Sequence, residues 1–307
     1  MMTVTPDPVS SQSLLKPFAL VLDFLNPGIP PDLIDSMKRL LAYFLTTCAI
    51  SWLCWSPYWL SFFPKAWKTS AFLHYLGLLG PLLSAVIWTK TENSSRGLRA
   101  LFTSLLVPRE PVFYGLLSAL LPFLILFAAV GISTQGAIQT VDWRGLWHSH
   151  ELATMSPIPF VALNLFVVGF GEETGWRGYA LPRLQQRFSA LTSSLLITAG
   201  WALWHWPLFF YVRSGYHSMD GAGIVGWLIS LLTGSLLFTW LFNSSRGSLL
   251  ACALFHATMD IAFMADLGRP DVMTYVGMAV TLWGAGILLV LKPTNLSRQP
   301  RVKTLEQ

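Results

Sequence analysis

The most constraining feature of this 307-residue sequence is a series of long apolar runs. A transmembrane helix needs about 20 mainly apolar residues. Only 11% of the residues are charged, whereas soluble domains carry about 25%. The sequence therefore predicts an all-α polytopic membrane protein with about eight transmembrane helices around a buried polar site. The eight predicted spans lie at about 40–60, 71–89, 112–131, 157–180, 190–212, 222–243, 248–266 and 273–291.

The distribution of basic residues predicts the orientation of this bundle. Basic residues concentrate on the cytoplasmic side of membrane proteins. With eight spans, fifteen of the 20 Lys and Arg residues fall on one side. The five on the other side are Lys65, Lys68, Arg144, Arg213 and Arg269. We therefore expect an integral membrane protein with both termini in the cytoplasm, and we separately predict a bacterial plasma membrane as its location. The net charge of +5 then reflects topology and indicates no nucleic-acid partner.

The apolar runs predict one membrane domain with short extensions. We expect a cytosolic N-terminal arm at 1–38, the eight-span domain at 39–292 and a cytosolic tail at 293–307. The polar residues that could carry chemistry fall within a core at about 157–268. Residues 90–111 are basic and partly amphipathic, which predicts a cytoplasmic connector that contacts anionic lipid.

Two adjacent glutamates and an arginine lie in the fourth predicted span, in the stretch GEETGWRGYA at 171–180. Residues four apart share a helix face, so Glu173 and Arg177 can form an ion pair within the span. Glu172 is rotated about 100° from Glu173, and its own position four residues on is Trp176. The spacing predicts a structural role for Glu173 with Arg177 and leaves Glu172 as a candidate general base.

The same segment is rich in small residues. Gly169, Gly171, Gly175 and Gly178 predict that neighbouring helices approach it closely. Pro182 is expected to limit the continuation of the helix, because proline cannot donate an internal hydrogen bond.

Two later spans carry further ionisable residues. His205 lies in WALWHW, one turn after Trp201, and His256 precedes Asp260 by four residues in HATMD. Side chains at that spacing can point at one water or one metal ion. Ionisable groups are costly inside a membrane and mark functional sites. Convergence of three such clusters on one buried site is favoured over three separate structural roles.

Other histidines are assigned lesser roles. His148, His150 and Glu151 form an HSHE patch that could bind a metal ion, but the patch lies in an interfacial loop and we expect a solvated polar stretch. His74 has no acidic neighbour in sequence and is predicted to be a packed or interfacial residue.

In order along the chain, the three clusters resemble the motifs of the CPBP family of intramembrane peptidases, which includes CAAX prenyl endopeptidases and bacteriocin-processing Abi proteins. The family pattern is EExxxR, then FxxxH, then HxxxN or HxxxD. This sequence has EETGWR at 172–177, WALWH at 201–205 and HATMD at 256–260. The resemblance spans roughly 165–265 and includes the multispan layout.

The resemblance implies an endopeptidase that cuts a membrane-associated or lipidated peptide or protein at the bilayer. It makes Glu172 the general base and His205 the residue that helps to activate a water. His256 and Asp260 would act on the carbonyl oxygen or on a metal. Glu173 and Arg177 would support the first motif helix.

The sequence departs from the pattern at Trp201, a similar aromatic residue, and has Asp260 where another form of the motif has Asn. An ionised Asp cannot donate a hydrogen bond to an oxyanion. Two versions of the chemistry stay open. His205, His256 and a carboxylate of Asp260 or Glu172 could hold a divalent metal such as Zn²⁺. Alternatively, Glu172 and His205 activate water without metal.

Two other classes of function compete with a protease. A secondary transporter could use intramembrane carboxylates and histidines as a cation path, but such proteins often show paired halves. A non-catalytic scaffold or immunity protein could keep the fold and act by binding partners.

Overall fold

The computed structural model describes residues 31–107, 112–149 and 151–305, which form helices and irregular connections and no strand. The α-helices are α1 Pro31–Trp55, α2 Lys65–Lys68, α3 Ala71–Leu78, α4 Gly80–Leu106, α5 Val112–Ser133, α6 Pro157–Leu163, α7 Phe170–Glu173, α8 Leu181–Arg187, α9 Ala190–Trp204, α10 Gly221–Ser244, α11 Leu249–Met264 and α12 Pro270–Val290. Short 3₁₀ helices occupy Ser56–Tyr58, Ile138–Thr140, Trp143–Trp147, Trp206–Phe210 and Gly215–Ser218. The all-α membrane fold is confirmed.

Within these described ranges, five helical segments are long and apolar enough to cross a membrane. Only 28% of the most apolar window of α5, and of α12, is buried inside the protein, so most of each faces outward. Outward apolar surface of this kind suits a lipid environment. The five segments are Ile34–Tyr58, Ala71–Glu92, Val112–Ser133, Gly221–Ser244 and Pro270–Val290.

The predicted count of eight spans is not confirmed. The fifth predicted span, 190–212, ends as an α-helix at Trp204, and a 3₁₀ helix that contains Pro207 follows it. Proline cannot donate the hydrogen bond that would continue an α-helix. The seventh predicted span is the 16-residue helix α11. The site-bearing helices are therefore shorter or less regular than the sequence predicted.

The fourth predicted span is part of a continuous helical stretch from 157 to 187, which we call the motif helix. Two π-helical stretches, Asn164–Gly169 and Thr174–Ala180, alternate with α6, α7 and α8. At the end of the second stretch, the Leu181 N–H donates to the Trp176 carbonyl five residues earlier. Such π turns are rare in proteins, and those that occur are often found at functional sites.

The expectation that Pro182 limits the motif helix is wrong, because the helix continues to Arg187. Pro182 lies in the first turn of α8, directly after the π-helical stretch. A missing N–H is tolerated in a first turn, where the ordinary helical hydrogen bond is interrupted in any case.

Two glycines of the motif helix meet backbone or rigid atoms of neighbouring helices. A Cβ at Gly169 would collide with the backbone carbonyl of Ala253 in α11. A Cβ at Gly175 would collide with Pro81 of α4 and with the Tyr43 hydroxyl of α1. The small residues thus allow the close approach that the sequence predicted.

Structured segments also lie at the ends of the predicted membrane domain. Helix α1 begins at Pro31, inside the predicted arm, and the rest of that arm lies outside the described residues. Helix α4 runs to Leu106, so most of the predicted connector 90–111 continues a membrane helix. In the predicted tail, Leu296 is fully buried, and the Val302 carbonyl accepts from Gln185 Nε2 at 2.8 Å.

We predict that Gly169→Ala destabilises the protein by about 1–3 kcal/mol, because a backbone carbonyl cannot move aside for the added methyl group. The measurement is the thermal unfolding midpoint in detergent. Gly131→Ala is the matched control, since a Cβ there meets no atom within 4 Å. Equal midpoints for the two variants would contradict the close contact.

Candidate active site

An ion pair between Glu173 and Arg177 lies at the centre of the site. Arg177 Nη1 donates to Glu173 Oε1 at 3.0 Å, and both side chains are fully buried. The i, i+4 pairing expected from the sequence is present even though Arg177 belongs to a π-helical stretch. Each charge makes the burial of the other tolerable.

Aromatic rings complete the surroundings of Arg177. Its guanidinium carbon lies 4.9 Å from the ring centroid of Trp201 and 4.3 Å from that of Phe238. The nitrogens Nε and Nη2 have no hydrogen-bond acceptor among the described residues. Ring faces attract a cation electrostatically, and the attraction is strongest away from water. The two rings therefore compensate for the hydrogen bonds that the guanidinium lacks.

Glu173 also binds His256, which comes from helix α11. His256 Nδ1 lies 2.7 Å from Glu173 Oε1, the same oxygen that accepts from Arg177. Because a carboxylate only accepts, Nδ1 carries the proton in this contact. The other ring nitrogen, Nε2, is then left for a further interaction. Glu173 therefore orients His256 as well as neutralising Arg177.

Glu172 points to a different helix from its neighbour. Its Oε2 accepts a hydrogen bond of 3.0 Å from the indole N–H of Trp201 in α9. The side chain is 3% exposed, and Oε1 has no hydrogen-bond partner among the residues described. Glu172 is thus held at one oxygen, where the sequence predicted a carboxylate without a partner.

His205 is fixed by its own helix. Its Nδ1 lies 2.7 Å from the backbone carbonyl of Trp201, and the residue caps the C-terminal end of α9. A carbonyl can only accept, so the proton is on Nδ1, and Nε2 of the neutral ring keeps its lone pair. His205 is 6% exposed, which leaves it almost completely shielded from bulk water.

Trp201 is the residue around which the three motifs meet. Its ring centroid lies 5.9 Å from that of His205 and 5.6 Å from that of His256, and its N–H binds Glu172. Glu172, His205 and His256 are therefore gathered around one side chain. Asp260, one turn beyond His256, makes no hydrogen bond within the described part of the chain and interacts with His256 electrostatically.

The predicted metal set does not fit this arrangement. Among the residues that the structure describes, no three His, Cys, Asp or Glu side chains are placed to hold one metal ion. Zinc sites use three or four such ligands. The proposed set of Glu172, His205, His256 and Asp260 therefore lacks the geometry of a ligand shell here.

A second polar cluster lies where the sequence predicted a solvated patch, and that prediction is wrong for Glu151. Glu151 is 7% exposed and accepts from His74 Nδ1 at 2.8 Å and from the Tyr211 hydroxyl at 2.7 Å. Arg213 Nη2 donates to the Glu151 backbone carbonyl at 2.6 Å. We call these residues the loop cluster. His150 of the same patch lies outside the described residues.

Helical spacing in the sequence does not predict the partners of Glu151 or of Trp201. His74 and Glu151 are 77 residues apart, so no helical spacing connects them. Trp201 is aromatic like the phenylalanine of the motif, but its indole carries a hydrogen-bond donor that a phenyl ring lacks. That donor was the available signal for its contact with Glu172.

A cavity among the described residues lies apart from this site. It has a volume of about 360 Å³ and is lined by residues that include Arg39, Glu92, Arg183 and Lys303. None of its lining residues belongs to the three motifs. The site itself is closed in this conformation, with Glu172 and His205 almost completely buried.

Comparison with known proteins points to one class of protein. A family model described as type II CAAX prenyl endopeptidase Rce1-like matches residues 154–262. The chain is also 28% identical, over 229 residues, to CAAX prenyl protease 2 of Methanococcus maripaludis. That alignment covers 71% of this chain and 82% of the relative.

The matched segment contains all three motifs described above. The resemblance to the CPBP family of CAAX prenyl endopeptidases is therefore confirmed. A membrane-embedded endopeptidase is the activity that these matches support.

We predict that Glu173→Gln lowers the free energy of unfolding by about 3–5 kcal/mol, because it leaves the Arg177 charge buried without its counterion. The double variant Glu173→Gln with Arg177→Met removes both charges and should recover most of that loss. Thermal unfolding of both proteins in detergent checks this. A double variant no more stable than Glu173→Gln would show that the ion pair is not the source of the loss.

We predict that Glu151→Leu loosens the connection between α5 and the motif helix, because His74 and Tyr211 lose their shared acceptor. Limited proteolysis should then cut this connection at least several times faster than in the wild type. Asp271→Asn is the control, since that carboxylate is exposed and makes only a 4.0 Å contact. Equal cleavage rates for wild type and Glu151→Leu would contradict a stabilising role for the loop cluster.

Proposed function

We propose that this protein is an intramembrane endopeptidase that hydrolyses a peptide bond of a membrane-associated or lipidated substrate with a water activated by Glu172 and His205. The observation that carries the proposal is the meeting of Glu172, His205 and His256 around Trp201 in a site closed to bulk water.

Glu172 and His205 are suited to accept protons from one water. Oε1 of Glu172 has no described hydrogen-bond partner, and Nε2 of His205 carries a lone pair because Nδ1 donates to a carbonyl. In the proposed reaction, Glu172 removes a proton from the water as the oxygen attacks the scissile carbonyl carbon. A general base of this kind contributes about 10²- to 10⁴-fold to the rate.

His256 is suited to donate a hydrogen bond to the oxygen of the scissile carbonyl. Its Nδ1 is held by Glu173, so a protonated ring presents Nε2–H as a donor for the developing oxyanion. The proton taken by Glu172 then passes to the leaving amine, which restores the carboxylate. Asp260 is assigned to the same wall of the site, where its charge acts on His256. No step in this scheme passes through a metal ion.

The substrate class follows from the surroundings of the site. The site lies among apolar helices, so a substrate reaches it from the bilayer or its surface. The relative's name, CAAX prenyl protease, suggests a prenylated protein as one substrate class. In a cell that makes no prenylated proteins, the proposed substrate is a peptide that is matured or degraded at the membrane. We also propose that both termini are cytoplasmic, from the distribution of basic residues.

The proposal predicts that Glu172→Gln lowers cleavage by at least about 10²-fold, because the amide cannot take a proton from water. Purified wild type and variant are compared on prenylated and membrane-tethered peptides. Glu92→Gln is the control, since it removes a partly buried carboxylate that binds Tyr179 and Arg183 away from the motifs.

The same assay with and without a chelator distinguishes the two versions of the chemistry. We expect cleavage to persist after thorough chelation. Loss of cleavage that Zn²⁺ restores would show the metal-assisted version to be correct. A Glu172→Gln protein as active as the wild type would show the proposed function to be wrong.

A further inference from the structure

Trp201 makes a contact with Glu172 that a phenylalanine at this position could not make. Its indole N–H donates to Glu172 Oε2 at 3.0 Å, and the residue is 6% exposed. Tryptophan supplies one N–H donor, whereas a phenyl ring supplies none. The aromatic position before His205 therefore has a polar function in this chain.

The contact restricts a carboxylate that is otherwise weakly held. Glu172 has no other hydrogen-bond partner among the residues that the structure describes, and Arg177 pairs with Glu173. Without the indole N–H, the carboxylate could rotate about its last bond and exchange its two oxygens. With Oε2 bound, Oε1 keeps one direction. Orientation of a reacting group by a supporting hydrogen bond is a general requirement of precise sites.

Trp201 is itself held firmly enough to provide this orientation. The Arg177 guanidinium lies 4.9 Å from its ring centroid, and the rings of His256 and Phe238 meet it edge to face. A cation over an indole face is attracted by the ring electrons. It also withdraws electron density from the ring, which strengthens the N–H as a donor. Arg177 thus supports Glu173 directly and Glu172 through Trp201.

We propose that Trp201 is a positioning residue for hydrolysis: its indole N–H holds Glu172 Oε2, so that Oε1 is directed at the water. This inference rests on the proposed function. It assigns Trp201 no contact with the reacting atoms. The inference predicts a lower kcat for an enzyme that lacks this hydrogen bond. Such an enzyme binds substrate as before, but its misdirected Glu172 removes the proton from water more slowly.

The test removes the N–H and preserves the ring. Benzothienylalanine, in which sulfur replaces the indole N–H, is installed at position 201 by genetic code expansion, and Trp201→Phe is made beside it. We expect kcat to fall by up to about 100-fold, the order of loss that a small misplacement of a reacting group causes. KM should stay within about twofold, and the unfolding midpoint of the benzothienylalanine protein should match the wild type.

The matched control is the same replacement at Trp88. Its indole N–H also binds a side chain, Thr46 Oγ1 at 3.2 Å, and within the described part of the chain no hydrogen bond joins Trp88 to the three motifs. Its kcat should be unchanged. If the protein with benzothienylalanine in place of Trp201 keeps the wild-type kcat while Glu172→Gln is inactive, the role of Trp201 is overturned and the proposed function stands.

An infrared measurement tests the contact without any substrate. The carboxyl band of Glu172 is assigned by its absence in Glu172→Gln, and it should shift when benzothienylalanine replaces Trp201. An unmoved band would show that the hydrogen bond does not form and would overturn the inference. If the band shifts on replacement of Trp201 but the wild type cleaves no peptide, the result supports the contact and counts against the proposed function.

Discussion

The arrangement of the site depends on the buried ion pair between Glu173 and Arg177. A charge inside a membrane protein costs several kcal/mol unless it is paired. Here both side chains are fully buried and come from one turn of one helix. Because the two residues are four apart on one helix, no neighbouring helix is needed to bring the two charges together.

Neighbouring helices are then joined to this pair through its remaining surfaces. Helix α11 contributes His256 to the carboxylate, α9 contributes the face of Trp201 to the guanidinium, and α10 contributes Phe238. One neutral pair thus links four helices, three of which carry the motifs. The link explains why the motifs meet although they are separated along the chain. It also gives Glu173 a second role, since the same oxygen that neutralises Arg177 orients a candidate catalytic histidine.

The local part of this arrangement could be predicted from sequence. The spacing of Glu173 and Arg177 was enough to predict their pairing, and the glycines were enough to predict close helix contacts. The spacing of Glu172 from Glu173 was enough to send the two carboxylates to different partners. Less predictable were the ends of helices. Pro182 lies in a continuous helix because a π-helical stretch precedes it, and a sequence carries no simple period for such a stretch.

Contacts between distant residues could not be predicted in the same way. The polar sequence neighbours of Glu151 predict a solvated patch. Its partners, His74 and Tyr211, come from other segments. The indole N–H of Trp201 indicates a hydrogen-bond donor, but its acceptor Glu172 lies 29 residues away and is identified only by the packing of the helices.

The sequence by itself determined the membrane character, the ion pair and the three motifs, because apolar length and helical spacing are properties of a local stretch of chain. Only the tertiary structure decided which residue binds Glu172, which residue binds His256 and which residues bind Glu151 in the loop cluster. Those contacts join side chains on different helices, and their formation depends on how the helices pack against one another.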